Sequence, residues 1–439
     1  MSELVEGTPP AALPSEWARL NPLSPVVRAG SAVVGVLGIF AINGAAQHRP
    51  SWPDAVIVGL AAVTGVVYWW VTRWRVHGGE LQIDTGLLRR QQVRVPLTRI
   101  QGIDLVRPLL ARILGVSELR LVLAGHDGGR ARLAYLNEDR AIAVRAQLLA
   151  LAHGLADDTP EPPEQPILVV PGSRIVASNL LTLRFGIGLL MVIALIGFAV
   201  GFPQAAGPLL GSAVPIVIGD LLVTWRLVSS EWEFHLAEAP DGIRLRSGLL
   251  QTRAETIPHG RIQAVRWVEP LLWRPFGWVR LEFDVARRRN AQRGQRESAL
   301  ATRALLPAGT REQARWLVGR LLPGAVAELP RTEGPPRRAF WRAPLARRYA
   351  RIHVDERYVA CCTGRIRPDT VVVPLEKVQS IRWTQGPWAR RLHLANVFLD
   401  TAGQRFTATA RHRDRRQAQE LIDSLPDLAR SARARVSAR

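Results

Sequence analysis

Val95-Pro96-Leu97-Thr98-Arg99-Ile100-Gln101-Gly102-Ile103 decides the fold, because its pattern returns as Ile257-Pro258-His259-Gly260-Arg261-Ile262-Gln263-Ala264-Val265 and as Val373-Pro374-Leu375-Glu376-Lys377-Val378-Gln379-Ser380-Ile381. Offsets of 162 (96 to 258) and 278 (96 to 374) align all three without gaps. The same offsets align Gly86, Gly248 and Gly364 ten positions before the prolines, and Gln101, Gln263 and Gln379 five positions after. A fixed period marks one supersecondary unit used repeatedly, so three related domains are expected.

Around the first copy the apolar residues alternate, as they do in strands with one buried face. Strands are expected at 81–83, 91–95, 100–106, 119–123 and 130–135, with turns at Asp84-Thr85-Gly86 and His126-Asp127-Gly128-Gly129. Asn137-Glu138-Asp139 then opens a helix whose Ala141, Val144, Leu148 and Leu151 share one face. The second copy repeats this order, and Thr310 with Gln313 forms a capping box at its closing helix. In the third copy the closing helix opens near Asp414 and presents Ala418, Leu421, Ile422 and Leu425. Each unit is antiparallel strands followed by one amphipathic helix.

Long, almost entirely apolar runs precede the first two copies. Residues 26–46 and 54–72 form one pair, 185–202 and 208–227 a second, and each run is about long enough to cross a ~30 Å hydrocarbon core as a helix. Arg28, Arg73, Arg75, Arg174, Arg184 and Arg226 flank the ends opposite the short connections, Arg49 being the exception. The positive-inside rule places those ends in the cytoplasm. The expected architecture is membrane α plus α+β, with four transmembrane helices in two hairpins and three cytoplasmic domains. The expected boundaries are a mobile lead-in 1–25, hairpin 26–72, domain 73–155, linker 156–183, hairpin 184–228, domain 229–322, Pro/Arg-rich linker 323–348, domain 349–428 and a disordered basic tail 429–439. Trp17 to Leu23 in the lead-in is a candidate interfacial anchor.

Asp220 is the one acid within the fourth run, and an intramembrane carboxylate is a functional candidate. Its alternatives are a neutralised interfacial residue near Arg226 or the mouth of a small transport pathway through the four helices. The formal charge of +21 comes almost wholly from arginine, Lys377 being the sole lysine. Basic domains beside a bilayer are drawn to anionic lipid. Arg287, Arg288 and Arg289, in a loop rich in Arg, Asn and Gln, are candidate headgroup contacts or a solvated loop. Phe340, Trp341 and Leu345, set among arginines, suit the membrane surface or a neighbouring domain.

The two cysteines, Cys361 and Cys362, are adjacent in an expected strand and form neither a zinc framework nor a disulfide scaffold. Phosphate loops, dinucleotide fingerprints, His-Glu-x-x-His and Gly-x-Ser-x-Gly elbows are missing. No enzyme, cofactor, metal or nucleic-acid partner is expected. The repeated polar residue is the glutamine, whose structural role would be to fix a loop or strand. Pro96, Gln101, Pro258, Gln263, Pro374 and Gln379 are therefore the candidate repeat site, structural or interacting.

With Arg19-Leu20-Asn21-Pro22-Leu23-Ser24-Pro25 before an apolar hairpin, and Pro108-Leu109 and Pro270-Leu271 following the motif, the chain resembles the bacterial pleckstrin-homology-like membrane proteins of the YdbS/YdbT type, in their large multi-repeat form. The third copy departs from the pattern, with Gly386-Pro387 shifted by one and His393 in place of Gly115 and Gly277. The resemblance implies a bent antiparallel sheet capped by a C-terminal helix in each repeat, and no known enzymatic activity. It also implies a heteromeric assembly with a smaller one-repeat family member. The expected function is a scaffold for proteins or the membrane surface, in envelope maintenance or stress, in the cytoplasmic membrane of a bacterium. Homo- or hetero-oligomers and the anionic inner leaflet are the expected partners.

Overall fold

The computed structural model describes residues 13–27, 30, 52–86, 90–123, 131–152, 165–239, 242–258, 260–286, 304–322, 324–325, 334–403 and 405–437. They divide into two compact units, Met1–Leu168 with His235–Pro258, and Val169–Phe234 with His259–Arg439. The division passes through the second repeat, beside its motif proline.

In the first unit, helix α1 (Trp52–Val71) leads into strands β2 (Arg73–His77), β3 (Glu80–Thr85) and β4 (Gln91–Pro96), an antiparallel meander extended by β1 (Ala18–Arg19). A second meander follows: β5 (Ile100–Arg107), the short helix α2 (Leu109–Ile113), β6 (Val116–Leu123) and β7 (Ala131–Asn137). Helix α3 (Glu138–Ala152) closes the repeat. Trp74, Leu81 and Ile83 from the first meander share a core with Ile103, Leu119, Leu121 and Leu133 from the second. Ala141, Val144 and Leu148 of α3 join the same core. At about 1.5–3 kcal/mol for each large apolar side chain removed from water, this cluster is what holds the two meanders together.

The lead-in, expected to be mobile, is packed from residue 13 to 27. β1 pairs with β2, buried Leu20 joins the core, and Trp69 Nε1 donates to the Leu20 carbonyl at 2.9 Å. Trp17 lies beneath the Arg75 guanidinium, 4.4 Å from ring centroid to Cζ, instead of standing free as an anchor.

β8 (Gln165–Val170), β9 (Phe234–Ala239), β10 (Gly242–Ser247) and β11 (Thr252–Ile257) complete a seven-stranded sheet in the order β7-β6-β5-β11-β10-β9-β8. Thus the first strands of the second repeat continue the sheet of the first, with Thr252 opposite Arg107, Arg253 opposite Val106 and Ala254 opposite Leu105. Part of the expected linker 156–183 is structured, since it supplies β8 and helix α4 (Gly172–Leu180).

In the second unit, α5 (Leu183–Gly201) and α6 (Pro203–Glu231) are separated by Phe202 alone, because Pro203 starts the next helix where a five-residue connection was expected. Among the described residues α5 is the one helix long and apolar enough to cross a membrane, and none of it is buried. Four transmembrane helices are therefore not supported there. Most of the run 26–46 lies outside the described residues, as do the side chains of the first half of α6.

β12 (Ile262–Val268), β13 (Trp278–Val285) and β14 (Ala304–Thr310) precede α7 (Arg311–Leu321), which begins with the expected capping box. Gln313 N donates to Thr310 Oγ1 at 3.2 Å, and Thr310 N to Gln313 Oε1 at 3.0 Å. β15 (Arg351–Val354), β16 (Tyr358–Thr363) and β17 (Asp369–Pro374) continue this sheet in the order β14-β13-β12-β17-β16-β15. A separate three-stranded sheet holds β18 (Val378–Thr384), β19 (Leu394–Thr401) and β20 (Ala408–Asp414), with α8 (Pro387–Arg391) after β18 and α9 (Arg415–Ser437) at the end. Val359, Cys361, Val373, Val397, Leu399, Ala418 and Leu425 share its core. The tail expected to be disordered is helix as far as Ser437, because Ala429 and Ala432 are buried and Arg433 Nη1 donates to the Val378 carbonyl at 3.0 Å.

Candidate functional site

The three motifs occupy one structural position. Pro96 and Pro374 cap single 3-10 turns, at Leu97–Arg99 and Leu375–Lys377, while Pro258 follows β11 directly. Each recurrent glutamine sits at a β-bulge: the register slips between Ile100 and Gly102, between Ile262 and Ala264, and between Val378 and Ser380. A bulge adds one residue to one strand and bends it, which accounts for a repeated sequence position without a ligand. Gln263 is buried and its Nε2 donates to the Arg261 carbonyl at 3.3 Å, whereas Gln379 is exposed. The aligned glycines are also explained, since Gly86, Gly248 and Gly364 have φ of +98°, +122° and +91°.

The turn that follows each motif strand holds the segment that enters its repeat. In the first repeat, Ala111 of α2 packs with Val27 and Val116, at the start of the first apolar run. In the second, buried Trp273, within the 3-10 turn Leu271–Phe276, donates from Nε1 to the Ser178 carbonyl at 2.8 Å. Ser178 lies in α4, one short turn before α5. In the third, Ala389 of α8 packs with Leu394 and with Ala339 of the 3-10 turn Arg337–Trp341. Arg338 pairs there with Asp414 and donates to the His393 carbonyl. No long apolar run follows that third segment, but Phe340, Trp341 and Leu345 are exposed on it.

A chain of charges in the second unit ties α6 to the sheet. Arg280 Nη1 donates to Glu231 Oε2 at 3.1 Å and its Nε to Glu282 Oε1 at 3.0 Å. Arg266 Nη1 lies 3.6 Å from Glu282 Oε2, and its Nε donates to Asp369 Oδ1 at 2.8 Å. Burial alone would lower the Arg280 pKa, but attraction and hydrogen bonding to Glu231 and Glu282 outweigh it and raise the value. The hydrogen bond to Asp369 likewise raises that of Arg266.

The equivalent positions of the first repeat carry the opposite signs. Asp104, Glu118, Arg120 and Arg253 stand where Arg266, Arg280, Glu282 and Asp369 stand in the second junction. Arg120 Nε donates to Glu118 Oε1 at 3.0 Å, the mirror of the Arg280–Glu282 contact. Sequence reading missed this network, although charged residues exchanging sign at aligned positions were its available signal.

Asp220 accepts from Arg184 Nε at 2.6 Å, so its partner is Arg184 and not the expected Arg226. Arg287, Arg288 and Arg289 lie outside the described residues. An open groove of about 650 Å³ is lined by Trp70, Arg73, Asp84, Arg90, Gln91 and Gln92 among others. Among the described residues no cluster of His, Cys, Asp or Glu is arranged to hold a metal. Burial pushes the Cys361 thiol up to about 12 and raises Cys362 as well, the opposite of an activated nucleophile. What these elements can do is hold the segments that enter each repeat, pair strands and present arginine-rich apolar tips.

A family model described as "Bacterial PH domain" matches the chain three times, over residues 34–152, 181–322 and 316–429. No curated protein and no solved structure matches it.

Proposed function

Because the chain belongs to the bacterial PH domain family, we propose that it is a non-enzymatic membrane-surface scaffold, with its three repeats lined along the cytoplasmic face of a bacterial membrane. The observation that carries this reading is the recurrent packing of the post-motif turn on the segment entering each repeat. In two repeats that segment runs into apolar chain, at residues 26–46 and at α5. An uncovered helix as apolar as α5 is unfavourable in water and at home in lipid. In this reading the four apolar runs form two hairpins, and the arginines beside them meet anionic headgroups.

The third repeat occupies the same place without a hairpin. Its entry segment presents Phe340, Trp341 and Leu345 among Arg337, Arg338, Arg342, Arg347 and Arg348, the composition of an interfacial anchor. The Asp220–Arg184 pair supports a neutralised interfacial site over a transport pathway. Trp341→Cys, labelled with an environment-sensitive dye in full-length protein reconstituted into anionic vesicles, tests the reading. Shallow spin-labelled lipid is expected to quench this label more strongly than one at exposed Glu356, introduced as Glu356→Cys. Equal quenching of both by aqueous iodide, with neither touched by the lipid quencher, would overturn it.

A further inference from the structure

Twice within this chain the motif strand of one repeat takes the last strand of the next repeat's first meander along its open edge. The first junction is β5 with β11, the second β12 with β17. Their registers coincide: Val106 opposite Arg253 corresponds, after shifts of 162 and 116 (258 to 374), to Val268 opposite Asp369. Two halves of the same junction are left over. β18 is the equivalent of β5 and β12, and β4 the equivalent of β11 and β17. Both are outermost strands of their sheets among the described residues.

β18 keeps the residues of a paired strand. Ile381-Arg382-Trp383-Thr384 matches Val265-Arg266-Trp267-Val268, yet Val265, Trp267 and Val268 are buried while Ile381 and Trp383 are only half-buried and Thr384 is exposed. On β4, Gln91, Gln92 and Arg94 are exposed. Neither strand carries an edge-blocking proline at these four positions, and the bulge on β18 is shared by both paired strands. The charges do not oppose the pairing. Arg266 meets Asp369 in the second junction, whereas the aligned residues of the third are Arg382, whose Nε already donates to Asp400 of its own sheet at 2.8 Å, and Gln91, which is uncharged and repels neither sign.

We propose that β18 of one chain pairs antiparallel with β4 of a second copy, repeating between molecules the junction made twice within each. The register sets Thr384 opposite Gln91, Trp383 opposite Gln92, Arg382 opposite Val93 and Ile381 opposite Arg94. Such a contact is heterologous, so copies join head to tail into a ring or an open row. This inference does not depend on membrane attachment, since it rests on strand register alone.

Oxidative cross-linking of the full-length protein in native membrane vesicles tests it. A chain carrying both Thr384→Cys and Gln91→Cys is expected to give a ladder of oligomers, whereas a mixture of the two single variants stops at dimers. Val106→Cys with Arg253→Cys, the aligned pair inside the chain, serves as the benchmark that this geometry closes. Gln379→Cys with Gln91→Cys is expected to give no ladder, because Gln379 lies five residues from Thr384, about 17 Å along a strand. If the benchmark closes while Thr384/Gln91 stays monomeric, the proposal is overturned. It is equally overturned if the Gln379 pair cross-links to the same extent, since random collision would then explain both.

Discussion

Replacing Arg280 with methionine tests whether the charge chain secures α6 to the second repeat. Methionine keeps an apolar stem of similar reach, so the main loss is the guanidinium shared by Glu231 and Glu282, whose side chains are only 4% and 8% exposed. Breaking one buried ion pair costs about 3–5 kcal/mol, because the remaining charge is left without compensation. Here two carboxylates are stranded, although Glu282 retains Arg266 at 3.6 Å, so the upper part of that range is expected. Against a domain stability of roughly 5–15 kcal/mol, that is a third or more of the total. Adding Glu231→Gln removes the more deeply stranded charge and is expected to recover about 1–2 kcal/mol, the scale of one buried group's hydrogen bonding. Urea unfolding in detergent micelles, followed by the exposure of Cys361 to a thiol reagent, measures both variants. A loss below about 1 kcal/mol for Arg280→Met, or a double variant no more stable than the single, would show that the network contributes little.

Three further outcomes follow from local geometry. His393 holds φ +48° where the other repeats have Gly115 and Gly277, both at +64°; with its side chain exposed, His393→Gly is expected to raise the melting temperature by a few degrees, relieving about 1 kcal/mol. Gly248→Ala would drive a Cβ into the Gln251 carbonyl oxygen at φ +122°, so a lower urea midpoint, by about 1–3 kcal/mol of stability, is expected. Cys361, raised by burial from 9.0 to about 12, holds its proton more tightly folded than unfolded; its contribution is complete below pH 9 and lost as pH rises toward 12. Alkaline unfolding curves of Cys361→Ala should therefore be flatter across that window than those of the native chain, and an unchanged slope would exclude the thiol as the cause.

The repeat, the strands around each motif and the closing helices were legible because they depend on local pattern: alternation for β3 to β7, a 3.6-residue stripe for α3, and Thr310 with Gln313 for α7. β2 and β14 escaped notice because Arg73-Trp74-Arg75 reads as a membrane flank and Ala304–Thr310 contains a proline and a glycine. Their pairing is decided by neighbouring strands that no local window contains. Leu20 and β1 were hidden in a Pro-rich lead-in for the same reason. Both junctions were invisible as contacts, since β5 and β11 lie more than a hundred residues apart and nothing in either strand names its partner.

The charges at the two junctions differ in sign. β5 carries Asp104 and takes the strand carrying Arg253, while β12 carries Arg266 and takes the strand carrying Asp369. Exchanging the two incoming strands would set Arg253 diagonally across from Arg266 and Asp369 diagonally across from Asp104, bringing like charges near each other. Three repeats built on one strand pattern face this problem, because each offers a similar motif-strand edge and a similar first meander. The sign inverts from one junction to the next while the apolar pattern that folds each repeat is kept. At the third half-junction exposed Arg382 pairs with Asp400 of its own sheet and exposed Gln91 carries no charge, so neither residue opposes the pairing of β18 with β4.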